Sequence, residues 1–139
     1  MSTRGTKQEM YERTLAFATR VATLIKSIPR GFSEDNISRQ LAKSSTSIGA
    51  NYREACHARS QDDFASKLKI CEAEADETLY WLQLLVSTNI IPERLLHNLM
   101  QEARELVAIL TASTKTAYSH RRNTSNGSAL HKEIQNSNF

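Results

Sequence analysis

An all-α, up-down-up-down antiparallel four-helix bundle is predicted by three observations. Apolar residues recur at helical spacing in four successive stretches, the breaks between them are short, and 4 Gly and 2 Pro in 139 residues leave little punctuation for strands. Short connections between long helices force neighbours to run antiparallel. At this length one domain is expected, over residues 1–118, followed by a polar tail.

The first helix is expected over about residues 6–28. Met10, Phe17, Val21, Leu24 and Ile28 recur at a/d-like spacing, and Tyr11, Ala18 and Ile25 widen the stripe. Pro29–Arg30–Gly31 ends it, because proline lacks the amide donor and glycine tolerates the conformation past a helix end.

The second helix is expected over 33–57, with Ser33 as N-cap and Glu34 and Asp35 complementing the helix dipole. Ile37, Leu41, Ser45, Ile48, Tyr52 and Ala55 share its inner face, with Ser44 and Asn51 on the flank. Small and polar groups thus run beside the apolar stripe. Small residues let a neighbouring helix approach closely, and a semi-buried Asn or Glu must find hydrogen-bond partners.

Ser60 is expected to cap a third helix over 60–88, with Asp62 and Asp63 in its first turn. Phe64, Leu68, Cys71, Ala75, Leu79 and Leu82 mark its inner face, continued by Leu85 and Val86. Asn89–Ile90–Ile91–Pro92 closes it and opens a fourth helix over 92–118, with proline at the first helical position. Leu95, Leu96, Leu99, Ala103, Leu106 and Leu110 carry its stripe. The stretch 119–139 is polar and mildly basic, and it is expected to form a flexible tail in which Leu130, Ile134 and Phe139 are the groups able to dock elsewhere.

Composition limits the function classes. No apolar run approaches the roughly 18–20 residues that span a bilayer, and the amino terminus lacks a signal-peptide core, so a cytoplasmic protein without membrane contact is expected. Cys56 and Cys71 are isolated and read as small buried hydrophobes rather than a disulfide or zinc framework. The net charge of +3 conceals an asymmetry. Residues 1–31 carry Arg4, Lys7, Arg13, Arg20, Lys26 and Arg30 against Glu9 and Glu12. Residues 61–89 carry six carboxylates against Lys67 and Lys69.

Ser47–Ile48–x–x–Asn51–x–x–Glu54 resembles the Ser-Ile-x-x-Asn-Ile-x-Glu-Gly signature of the four-helix-bundle family encoded in 23S ribosomal RNA intervening sequences. The likeness extends upstream through Leu41–Ala42–Lys43–Ser44–Ser45. Downstream it runs through Arg59–Ser60, Asp63–Phe64, Leu68 and Glu74–Ala75–x–Glu77–x–x–x–Trp81–Leu82, covering roughly residues 6–118. Tyr52 stands where the signature has Ile, and Ala55 where it has Gly, so the second helix is free to continue past that point. The resemblance implies a homo-oligomer, often a pentameric ring, associated with RNA and without catalytic activity. A related group accompanies the reverse transcriptases of diversity-generating retroelements and binds protein and nucleic acid through a basic surface.

Ser44, Ser47, Ile48, Asn51, Glu54 and Glu77 are accordingly the candidate seam, fixing register between helices or subunits, with Arg53 or Arg59 as partner for a carboxylate. Arg13, Arg20, Lys26, Arg30, Arg39, Lys43 and Arg53 are the candidate RNA contacts, acting on phosphates because dispersed aromatics offer no base-stacking surface. Tyr52 and Trp81 are the candidate subunit contacts, Trp81 lying about 120° from the main apolar stripe.

Glu54–x–x–His57 has the spacing used by di-iron bundles, but a second such motif is missing from helices that offer Glu74, Glu77, Glu102, Glu105 and the separate His97. No cofactor or metal is therefore expected. The reading is a non-enzymatic module whose partners are itself and RNA or a ribonucleoprotein. The alternatives are a purely protein-binding scaffold and, behind it, a metal-carboxylate enzyme.

Overall fold

The computed structural model describes the backbone of residues 6–136 and the side chains of residues 6–120. Four helices occupy it: α1 (Lys7–Ser27), α2 (Phe32–Cys56), α3 (Gln61–Ser87) and α4 (Glu93–Asn136). No strand occurs among the described residues.

Each helix begins for a local chemical reason. Thr6 accepts from the Glu9 amide while Glu9 reaches back to the Thr6 amide, a reciprocal capping box. Ser60 Oγ accepts from the Asp63 amide at 3.0 Å. Ser33 does not cap α2. The helix starts one residue before it, from Gly31, and the Ser33 hydroxyl turns to Glu34. Asp35 instead holds that end, accepting from the Gly31 amide and from Arg30.

Past α3 the chain turns through Asn89, whose φ of 59° lies in the left-handed region that asparagine tolerates. The Ile90 amide then donates to the Leu85 carbonyl at 3.0 Å.

Helices pack in chain order, and cross-helix pairs fix their directions. Tyr11 meets Tyr52 while Thr14 meets Gly49, so residue numbers rise on α1 as they fall on α2. Ser44 meets Thr78 while Glu54 meets Lys67, giving the same antiparallel relation between α2 and α3. α2–α3 and α3–α4 are the broad contacts, α1–α4 is a narrow one, and the backbones of α1 and α3 do not approach closely.

A single apolar core runs between them, with Phe17, Leu41, Ile48, Leu68, Leu82 and Leu106 fully buried. Each such side chain contributes about 1.5–3 kcal/mol relative to exposure, which offsets the entropy of ordering helices that are marginal alone. Leu95 departs from the expected stripe. It is 61 % exposed, and the neighbouring Leu96 takes the core position.

α4 also runs past its expected end near 118, which corrects the tail assignment as far as Asn136. No proline follows Pro92, and the one interior glycine, Gly127, costs a helix about 1 kcal/mol without breaking it. Residues 137–139 and the side chains of 121–139 lie outside the described residues, and with them the expected docking of Leu130, Ile134 and Phe139. No helix among the described residues is long and apolar enough to cross a membrane.

Candidate functional site

The hydroxyl-rich row of α2 lies against α3 and α1. Ser44 is buried, and its Oγ sits 2.8 Å from Thr78 Oγ1, which lies equally far from the Glu74 carbonyl. Thr78 has one proton for two acceptors, so both contacts are satisfied only if Ser44 supplies the second. Gly49 faces Thr14 of α1. A Cβ there would meet Thr14 Oγ1 at 3.0 Å, and Thr14 is itself buried with its hydroxyl on the Met10 carbonyl.

Other seam residues turn back on their own helix. Ser47 Oγ donates to the Lys43 carbonyl at 2.6 Å, and Asn51 Nδ2 donates to the Ser47 carbonyl at 2.8 Å. Asn51 therefore finds its hydrogen bond within α2 instead of across a helix pair. Ile48 is a core residue.

Glu54 accepts from Lys67 Nζ at 3.0 Å, so the expected pairing with Arg53 or Arg59 is replaced by a lysine on α3. That bond holds the Lys67 ammonium above its ordinary pKa. His57, three residues on, forms the exposed C-cap of α2. Among the described residues, no three His, Cys, Asp or Glu groups come together in a way that could hold a metal ion.

On the outer side of α3, Glu77 accepts weakly from the Trp81 indole at 3.4 Å, and Tyr80 stands edge-on to Trp81 with ring centres 5.0 Å apart. Glu74 lies beside Glu77. Burial, and then the neighbouring carboxylate, raise its pKa, with Lys43 opposing. Its Oε2 is enclosed without a hydrogen-bond partner. Tyr52 packs edge-on against Tyr11 at 5.8 Å, which places it between α1 and α2 of its own chain.

The seven candidate cations have different occupations. Arg13 is turned onto α4, bound to Glu102 and Glu105, and its pKa is raised chiefly by the Glu102 hydrogen bond. Arg30 is held by Asp35, whose carboxyl it keeps below the ordinary range. Arg53 lies over the Tyr11 ring at 4.6 Å, a cation–π contact. Arg39 lies in the field of Asp35 and Lys43 in that of Glu74, without ion-pair contact. Arg20 and Lys26 are exposed on α1 with no ion-pair partner among the described residues.

Three contacts escape sequence inspection: Arg13 with Glu102 and Glu105, Arg53 on Tyr11, and Ser44 with Thr78. A signal for the first exists, since Glu102 and Glu105 share one face of α4 at i,i+3 and invite a facing cation.

Comparison with known proteins places this architecture among relatives. A model of a family described as 23S rRNA-intervening sequence protein matches residues 6–112. A crystal structure of a protein of unknown function from the S23 ribosomal protein family of Bacteroides thetaiotaomicron is similar. It is 37 % identical, with a TM-score of 0.72 over 78 % of this chain and 97 % of that one. No curated protein matches.

Proposed function

Since the chain belongs to the 23S rRNA-intervening sequence protein family, we propose that it is a non-enzymatic bundle that assembles with copies of itself and associates with RNA or a ribonucleoprotein. It acts in the cytoplasm, as a ring when the assembly closes, pentameric if it follows the pattern that the sequence resemblance implies.

The observation that carries the RNA reading is the state of the cations. Arg20, Lys26, Arg39, Lys43 and Arg53 meet no carboxylate at ion-pair distance among the described residues. Apart from Arg53, whose guanidinium lies over Tyr11, these cations are the kind that neutralise phosphates and release counterions, and assembly repeats each of them around the particle. Contact would track backbone and shape, because Tyr11, Tyr52 and Trp81 are engaged with neighbours in the chain.

A scaffold binding only protein is the second reading, favoured by the internal commitment of Arg13 and Arg30. Salt separates the two. Purified protein should carry RNA and shed it as salt rises, with log affinity falling linearly against log salt. A particle free of nucleic acid at low salt, with no binding to added RNA, would leave the scaffold.

A further inference from the structure

The unexplained apolar surface lies on two helices at opposite corners of the bundle. On α3, Ile70, Ala73, Glu77 and Tyr80 recur at spacings of three, four and three, forming a second stripe turned away from the core, with the half-buried Leu84 at its edge where it meets the core cluster. Ile70 is 41 % and Tyr80 54 % exposed, far from the buried inner face of the same helix.

On α1, Leu15, Thr19, Ala22 and Lys26 share the exposed face at spacings of four, three and four. Leu15 is 61 % exposed. Thr19 Oγ1 donates to the Leu15 carbonyl at 2.9 Å, and Thr23 Oγ1 to the Thr19 carbonyl at 3.1 Å. Their hydroxyls are spent on the helix itself, which leaves a smooth surface of small groups ending in an unpaired ammonium.

α1 and α3 have no close backbone approach and occupy opposite corners of the bundle, so their outer faces look in opposite directions. A two-fold contact would cover one face twice and leave the other bare. A head-to-tail contact engages both.

We propose that the outer face of α3 in one copy docks on the outer face of α1 in the next, with Lys26 meeting Glu77. This rests on the self-assembly reading above and identifies its surfaces. The charges are complementary, since the α1 face ends in a cation and the α3 face centres on a carboxylate, neither of which has an ion-pair partner among the described residues; Glu77 is met only by the Trp81 indole at 3.4 Å and by the neighbouring Glu74.

The helices run antiparallel. With Lys26 on Glu77, Ala22 then lies under Tyr80 and Thr19 under Leu84, large groups on small ones, while Leu15 reaches Ser87 at the end of α3 and Ile70 lies past the end of α1. A parallel arrangement in the same register would set Glu12 beside Asp63, two like charges. Lys26 thereby leaves the RNA-contacting set and becomes a subunit contact, while Arg20 lies on the flank of the same helix.

The test uses the full chain after nuclease treatment, so that nucleic acid cannot act as glue, with mass followed by light scattering as the protein is diluted. Lys26→Glu and Glu77→Lys should each weaken assembly about tenfold or more, and the double exchange should restore it. In a Cys56→Ser background, an Ala22→Cys chain mixed with a Tyr80→Cys chain should give a cross-linked pair under mild oxidation, whereas either alone should not. These positions are exposed or lie on the outer face, and unchanged helical content verifies folding. An assembly indifferent to both charge reversals, or one in which the Tyr80→Cys chain cross-links to itself, overturns the proposal while leaving self-assembly standing. A parent chain that is monomeric at every concentration overturns the assembly reading itself.

Discussion

Arg13 grips Glu102 across the seam between α1 and α4, its Nε donating to Oε1 at 2.6 Å while Nη2 reaches Glu105 at 2.7 Å. This fork sits on the narrowest interhelical contact of the bundle, so it pins α1 where few side chains interlock. Arg13 is part-exposed, which limits its worth.

Replacing Arg13 by Gln should therefore cost about 0.5–1 kcal/mol, read from urea melts. A carboxylate pair left facing each other should make the loss largest at low salt. Because Arg13 is committed inside the chain, the same variant should keep the salt-dependent RNA retention of the parent. Loss of RNA with unchanged stability would place Arg13 at the nucleic-acid surface after all.

Thr78→Val should cost about 1–2 kcal/mol, because it strips the buried Ser44 hydroxyl of its partner while conserving volume. Adding Ser44→Ala removes the orphan and should recover part of that loss. A thermodynamic cycle over the two sites measures the coupling, and strict additivity would mean that the two hydroxyls act independently.

Gly49→Val should destabilise by roughly 2 kcal/mol, since even the first added carbon would come within 3.0 Å of Thr14 Oγ1. α1 would have to move off α2. Thermal melts check this, and an unchanged midpoint would show that the two helices have room to part.

Glu74 gives the pH dependence. Burial, and then Glu77, raise its native pKa above the ordinary 4.5, so the folded state binds this proton more readily than the unfolded one. Its contribution is then favourable at acid pH and is lost as pH rises through the native value. Glu74→Gln should accordingly be more stable than the parent at neutral pH, with the gap closing as pH falls toward 4.5. Parallel denaturation curves with a constant gap would show that the carboxyl is ionised at no cost.

Much of the bundle is visible in the residues themselves. Ile37, Leu41, Ser45, Ile48 and Ala55 share one face by arithmetic and are buried together, because helical periodicity translates directly into a side. Ser60 as a cap is equally plain. Ser33 misled because Asp35, two residues on, reaches back to Gly31 and captures the helix start. The end of α4 was hidden for a different reason: a polar composition is compatible with helix and with coil alike.

The site was less legible. A list of cations does not say which ones have carboxylates, and Arg13 and Arg30 found theirs across sequence separations that no local pattern shows. Asn51 satisfied itself one turn back, where a cross-helix partner had been expected. Trp81 lies half-buried against the core cluster, a placement that its angle from the main stripe left open. Its companion Tyr80, the more exposed of the two, drew no notice because a lone tyrosine on a helix is unremarkable until the outer heptad around it is seen.

Self-association is the claim on which the rest turns, and the molar mass of the nuclease-treated chain tests it most directly. Light scattering on the eluting peak should return a whole-number multiple of 15.7 kDa that holds as the load is diluted. A peak at 15.7 kDa throughout would contradict it.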